Sequence, residues 1–239
     1  MNYILTIFIL AFSLFVIISA TYTVRYVIRA RRGDPTIWER TIQKFEKVDG
    51  FDPPPTGAIL FTGSSSIRFW KTLEEDMAPL EVINRGFGGS QIHEVAHYVD
   101  RIIFSHKPRG IVFYAGENDM SGLYFTKPKT PFEVRENYRQ FCERVHAKLP
   151  DVPIYFISIK PPKTRRKFWK EMKSANEMIL EFCLSDERLH YIDITEPMLD
   201  EQGNTRVDLF KWDGIHMNSK GYRVWTSVIK PILVDHFIK

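Results

Sequence analysis

The sequence predicts an α/β protein in three layers: a parallel sheet of about five strands, helices on both faces, and one N-terminal transmembrane helix ahead of them. Three observations carry this. Four apolar or β-branched runs, residues 58–62, 110–115, 153–159 and 189–194, recur along the chain. The intervals between them leave room for helices, and residues 131–148 and 168–184 show the helical period. Strands that are continuously apolar and separated by helices belong to parallel sheets, which are covered on both sides. Finally, residues 1–24 contain no Asp, Glu, Lys or Arg. At about 1.5 Å per residue, a helix of that length crosses a hydrocarbon layer of roughly 30 Å.

Arg25, Arg29, Arg31 and Arg32 close the apolar segment. A cleaved secretory leader begins with basic residues and carries small residues at the third and first positions before the cut. Here the start has no base, and Ile18 fills the third position before a cut after Ala20. Residues 1–32 are therefore expected to be an uncleaved single-pass anchor with a basic flank, and residues 33–239 the body. Bases beside a span stay on the cytoplasmic side, which places the body in the cytoplasm. The inverted anchor would deliver it to a periplasmic or other extracytoplasmic space. The four arginines also account for the formal net charge of +4, so the body itself is balanced. Balance argues against a nucleic-acid partner, whose footprint is an excess of Lys and Arg spread over the domain. Two cysteines, Cys142 and Cys183, are too few for a zinc ribbon.

Within the body, Ile37, Trp38, Ile42, Phe45 and Val48 alternate with charges as in an amphipathic helix over residues 37–48. Pro53, Pro54 and Pro55 end it. The run 58–62 is the first strand, a shorter apolar piece at 82–84 the second, and the other three runs complete the sheet. Residues 219–237 form a closing helix despite Pro231.

Ligands of such sheets sit at the carboxyl ends of the strands, so the residues just beyond each strand are the first candidates for a site. After the first come Gly63, Ser64, Ser65 and Ser66. A serine at a strand-to-helix turn either presents its hydroxyl beside free backbone N–H groups or simply caps the helix. After the second come Gly86, Phe87, Gly88, Gly89 and Ser90, a turn whose glycines allow close backbone approach and can offer an N–H to an oxyanion. Gly116, Glu117, Asn118 and Asp119 come after the third strand, where the neutral Asn118 amide is either an oxyanion donor or a brace for its own turn. Before the closing helix, Asp213, Gly214, Ile215 and His216 set a carboxylate three residues from an imidazole it can orient. The first motif is not an α/β-hydrolase elbow, since Ile67 replaces the second glycine, and not a phosphate loop, since no Gly-Lys-Ser/Thr comes after it.

In order and spacing these four motifs resemble the SGNH, or GDSL, hydrolase superfamily, and most of all its branch related to platelet-activating-factor acetylhydrolase subunits. The resemblance covers roughly residues 54–228. It implies a flavodoxin-like α/β/α sandwich and a serine esterase or acylhydrolase that acts on small-molecule or lipid esters without metal or cofactor. By the same resemblance Ser65 matches the nucleophile, His216 the general base and Asp213 the residue that orients it. Ser65 and Gly89 match the backbone donors of an oxyanion hole, and Asn118 matches its side-chain donor. The Gly-Asp-Ser of the superfamily reads Gly63, Ser64, Ser65 here, without the aspartate.

Two other readings compete. His93, Glu94 and His97 spell His-Glu-x-x-His, in which two histidines one turn apart hold zinc and the glutamate activates water, with Glu117 as a conceivable third ligand. Against it, Ile92, Val95, Val99, Ile102 and Ile103 form the apolar stripe, which leaves His93, Glu94, His97 and Asp100 on a solvated face. The other is a membrane-tethered domain that binds an acylated ligand without turnover. Lys160, Lys163, Arg165, Arg166, Lys167, Lys170 and Lys173 come after the fourth strand and are expected on a solvated helix face, or else at a pocket rim suited to anions. Phe168, Trp169, Tyr124 and Phe125 are candidates for an apolar acyl pocket, against the more ordinary role of aromatic residues in a core.

Overall fold

A computed structural model describes residues 2–123 and 126–238. Five strands form, all parallel: β1 (Ile59–Gly63), β2 (Val82–Gly86), β3 (Gly110–Tyr114), β4 (Ile154–Ile157) and β5 (Leu189–Ile192). Their order across the sheet is β2-β1-β3-β4-β5. The three central strands β1, β3 and β4 are buried throughout, while β2 and β5 at the edges are partly open. That is why the central strands are legible as unbroken apolar runs. β2 extends past the expected 82–84 through Arg85 to Gly86, which pairs with Gly63.

The helices follow the sequence pattern with adjusted ends. α1 (Asn2–Arg31) is the apolar segment, long and apolar enough to cross a membrane. Asp34 then caps a 3-10 turn at Pro35–Trp38 by accepting from Thr36 N, and α2 (Glu39–Phe51) runs on until shortly before the prolines. Short helices α3 (Ser65–Arg68) and α4 (Leu73–Met77) lie between β1 and β2. Between β2 and β3 come α5 (Ile92–His97) and α6 (Val99–Ile102). α7 (Glu117–Ser121) comes directly after β3. α8 (Pro131–His146) begins with a reciprocal Thr130–Glu133 cap and proline in the first turn, where its missing N–H costs nothing. α9 (Trp169–Cys183) leads to β5, and α10 (Ser219–Phe237), capped by Asn218, closes the chain with Pro231 inside it.

Alternate side chains of each strand point to opposite faces, and two separate cores result. Leu60, Ile111, Phe113, Ile154 and Phe156 meet α2, α5, α6, α8 and α9 on one face. Ile59, Phe61, Val112, Tyr114, Tyr155 and Ile157 meet α3, α4 and α10 on the other. The three-layer sandwich is thus as expected. In this strand order the progression of the chain across the sheet reverses between β1 and β3, the switch point at whose carboxyl ends such sheets bind ligands.

One peptide unit fixes the geometry of that switch point. The Ser64 N–H donates to Tyr114 O of β3 at 2.8 Å, and Gly63 O accepts from Phe87 N at 2.9 Å and from Ser90 Oγ at 3.1 Å beyond β2. Gly63 has φ +127°, and a Cβ on it would lie 1.9 Å from Tyr114 O. Only glycine fits. Gly63→Ala is expected to destabilise the fold by about 3 kcal/mol or more, read as a fall in the urea midpoint; an unchanged midpoint would show that β1 and β3 can part without cost.

Candidate active site

Ser65 opens α3, directly after the constrained peptide. Of the three serines, Ser64 and Ser66 are buried and Ser65 is partly open. Ser64 occupies the N-cap position without any side-chain capping bond, so the serines are not there to cap the helix. Ser65 Oγ lies 3.0 Å from His216 Nε2, and His216 Nδ1 lies 2.7 Å from Asp213 Oδ2. The ring therefore donates from Nδ1 to the carboxylate and accepts from the serine hydroxyl. The other carboxylate oxygen of Asp213 accepts the backbone N–H groups of Ile215 and His216, each at 2.8 Å. Burial alone would raise the Asp213 carboxyl, but these hydrogen bonds outweigh it and hold it at about 2.

The segment that carries this pair is closed on itself. Phe210 and Met217 bridge antiparallel, and Lys211 N donates to His216 O at 2.8 Å. Gly214, at φ +65°, makes the turn between Asp213 and His216. Phe69, on the helical turn after Ser65, packs edge-on against the imidazole with centroids 4.9 Å apart.

Gly89 lies in the loop after β2, and Asn118 in the first turn of α7, which the short loop after β3 leads into. The sheet order puts β1 between β2 and β3, so both loops adjoin that of Ser65. Asn118 Nδ2 donates to Ser90 O at 3.1 Å, which ties the two together. Among the described residues the N–H groups of Ser65 and Gly89 have no protein acceptor, nor has the second amide hydrogen of Asn118. Asn118 is thus a link between loops rather than a brace for its own turn.

Residues 48–224 match the GDSL-like lipase/acylhydrolase family. The chain belongs to this family. Its members are esterase/lipase-type hydrolases. Solved structures agree in fold. One is a Streptococcus pneumonia protein provisionally named a platelet activating factor, 17% identical with a TM-score of 0.73, covering 90% of this chain and 98% of that one. Another is a GDSL-like lipase from Bacteroides thetaiotaomicron VPI-5482, 17% identical with a TM-score of 0.70, covering 82% and 98%. A lipase/acylhydrolase from Enterococcus faecalis, 17% identical with a TM-score of 0.60, covers 76% and 97%. In sequence, 189 residues, 79% of this chain, align at 22% identity with N-acylneuraminate cytidylyltransferase from Escherichia coli O18:K1:H7 (strain RS218 / NMEC). The chain spans 42% of the length of that relative.

Behind the site of this GDSL-like hydrolase lies a buried charge cluster that the sequence pattern conceals. Lys160, expected on a solvated face, is 1% exposed and ion-paired with Glu117. Arg165 reaches the other Glu117 oxygen at 2.8 Å, and Tyr114 Oη donates to the same carboxylate at 3.1 Å. Burial works to raise the Glu117 carboxyl, yet Lys160 and Arg165 more than reverse it and keep it below the usual range. Glu117 is therefore committed to two cations and is no ligand for a metal.

Of the His-Glu-x-x-His residues, Glu94 and His93 also depart from the expected solvated face, while His97 keeps to it. Glu94 is buried, not solvated: it accepts Gln91 N at 2.8 Å in a capping box at the start of α5. His93 is engaged at both ring nitrogens, by Gly33 O and Lys129 Nζ at 2.9 Å each. His97 is exposed and stands edge-on to Tyr98. Among the described residues no group of three His, Cys, Asp or Glu is arranged around a common point for a metal. Phe168 and Trp169 pack against the first core, while Tyr124 and Phe125 lie outside the described residues.

Glu94 makes a testable case. Burial pushes its carboxyl up to about 7, against hydrogen bonds from Gln91 N and Trp38 that favour the charged form. In the unfolded chain it ionises near its ordinary value. Between about pH 5 and pH 7 the folded protein keeps a proton that the unfolded chain has released, so stability falls as pH rises, by up to about 3 kcal/mol. Glu94→Gln keeps an acceptor for Gln91 and cannot ionise. Its melting temperature is expected to match the parent near pH 5 and exceed it near pH 8; parallel profiles would contradict this.

Proposed function

We propose that the chain is a serine ester hydrolase that cleaves carboxylic esters through an acyl-enzyme on Ser65. The observation that carries this reading is the hydrogen-bonded line from Ser65 Oγ through His216 to Asp213. A hydroxyl of high pKa attacks a carbonyl only if a base takes its proton as the bond forms. His216 Nε2 is within hydrogen-bonding reach to do so, and Asp213, ionised far below neutrality, holds the ring in the tautomer that leaves Nε2 free and balances the imidazolium that results.

The steps balance. Ser65 Oγ adds to the acyl carbon, its proton passes to His216, and the carbonyl oxygen takes up the negative charge. That charge would be met by the N–H groups of Ser65 and Gly89 and the free amide hydrogen of Asn118, donors of the kind typically worth about 10²-fold to 10³-fold each in rate. Collapse expels the alcohol, which leaves with the proton from His216. Water then attacks the acyl-enzyme, His216 again takes a proton and returns it to Ser65, and the carboxylic acid departs. Ser64 replaces the aspartate of the Gly-Asp-Ser motif, but none of these steps requires a carboxylate there.

Hydrolysis of p-nitrophenyl acetate and butyrate by the full chain in detergent tests the reading. Ser65→Ala and His216→Ala are each expected to lose at least about 10³-fold in kcat, and Asp213→Asn a comparable amount with little change in KM. Full activity in Ser65→Ala, or its loss to a strong chelator, would refute it.

We further propose that α1 is a single-pass anchor. Its window of highest hydropathy is wholly exposed, and the four arginines at its end set the body on the cytoplasmic side. In intact cells the body is then expected to resist added protease and to become sensitive on lysis; digestion before lysis would invert the topology.

A further inference from the structure

The turn after β4 touches both halves of the site. At one end Thr164 Oγ1 donates to Asp213 O at 3.1 Å, and its N–H reaches Gly214 O. At the next residue Arg165 Nη1 donates to Asn118 Oδ1 at 3.0 Å and to Glu117 Oε1 at 2.8 Å. The Arg165 side chain is 11% exposed, and its backbone breaks the 3-10 run of Lys163–Phe168 at φ −112°, ψ 20°. Through Thr164 and Arg165 together, the turn joins the loop of the imidazole to the segment of the amide.

This contact has two physical consequences. An amide whose oxygen accepts from a guanidinium must present its NH2 on the opposite side, and the bond polarises that NH2 toward stronger donation. In addition, Lys160 and Arg165 both stand on the Glu117 carboxylate, the residue before Asn118, so fixed positive charge is held next to the amide. A fixed charge in a site shielded from water acts on a developing oxyanion far more strongly than in solvent.

We propose that Arg165 is a positioning residue for Asn118: it fixes the amide with Nδ2 toward the oxyanion and supplies the positive field behind it. This rests on the ester-hydrolase reading and adds a residue to it. No sequence motif marks Arg165, and its role is to act through Asn118 rather than on substrate.

The test is a double-mutant cycle in the full chain on p-nitrophenyl butyrate, with Arg165→Met, Asn118→Ala, the pair, and Arg165→Lys. Removing Arg165 leaves the Glu117–Lys160 pair intact, so the buried carboxylate keeps a partner and the fold is expected to survive, checked by melting temperature. Arg165→Met is expected to lower kcat by about 10-fold to 10²-fold with KM within about threefold. Asn118→Ala is expected to lose about 10²-fold or more, and the pair no more than Asn118→Ala alone. Arg165→Lys, which restores charge and a donor, is expected to recover most of the loss. Multiplying losses in the pair, an effect on KM alone, or unchanged kcat in Arg165→Met would overturn the inference while leaving the parent reading intact, provided hydrolysis still depends on Ser65. Hydrolysis that is absent, or that survives Ser65→Ala, would overturn both.

Discussion

The peptide unit between Gly63 and Ser64 is the constraint on which the site depends. Its carbonyl is held by Phe87 and Ser90 after β2, and its N–H is spent on Tyr114 at the end of β3. Three loops that carry separate chemical groups are thereby tied to one rigid plane. This is possible only because residue 63 has no Cβ to strike Tyr114 O. The next residue is the one with its hydroxyl on His216. Position, rather than any special reactivity of the serine itself, distinguishes Ser65 from Ser64 and Ser66 on either side.

Burial of charge is the second organising feature. Taking an ammonium and a carboxylate out of water costs several kcal/mol each, which their attraction repays only with good geometry and added hydrogen bonds. Glu117 meets that condition through Lys160, Arg165 and Tyr114, and the cluster sits one residue from Asn118. A stabilising core would be better served by apolar residues of the same volume. In the role proposed for Arg165, the polar cluster serves the amide beside it, which Arg165 contacts directly.

The sequence revealed most where chemistry is local. Asp213 and His216 lie three residues apart on one turn, and Ser65 comes just after a strand end, so their types and spacing are visible without tertiary knowledge. Strands β1, β3 and β4 are visible because both faces are buried and the run is unbroken. The features hidden from the sequence depend on distant packing. Lys160 stands in a basic run that looks solvated; the one available signal is its place just past β4, at the sheet edge where the site must lie. Glu94 satisfies a helical pattern of exposure, yet Trp38 and the start of α5 close over it. The last residues of β2 were hidden because Gly86 has poor strand preference, although a Cβ there would lie 2.5 Å from Arg68 N and so only glycine lets α3 approach.

The segment that spells a zinc motif has a different physical use, as a joint. Ala30 at the end of α1 is buried, and just beyond it Gly33 gives its carbonyl to His93. His93 passes the contact to Lys129, and Lys129 Nζ binds Asp119 Oδ1 at 2.8 Å. Asp119 also receives Ile92 N and stands directly after Asn118 in α7. Burial and the neighbouring Lys129 cation both hold the His93 ring below its usual proton affinity, which suits a neutral ring that accepts from lysine and donates to a carbonyl. The apolar helix is thus not hung from a loose tether. It enters the body through three side chains, His93, Lys129 and Asp119, that end beside Asn118, so the same histidine that mimics a metal ligand in sequence ties the end of the helix to α7.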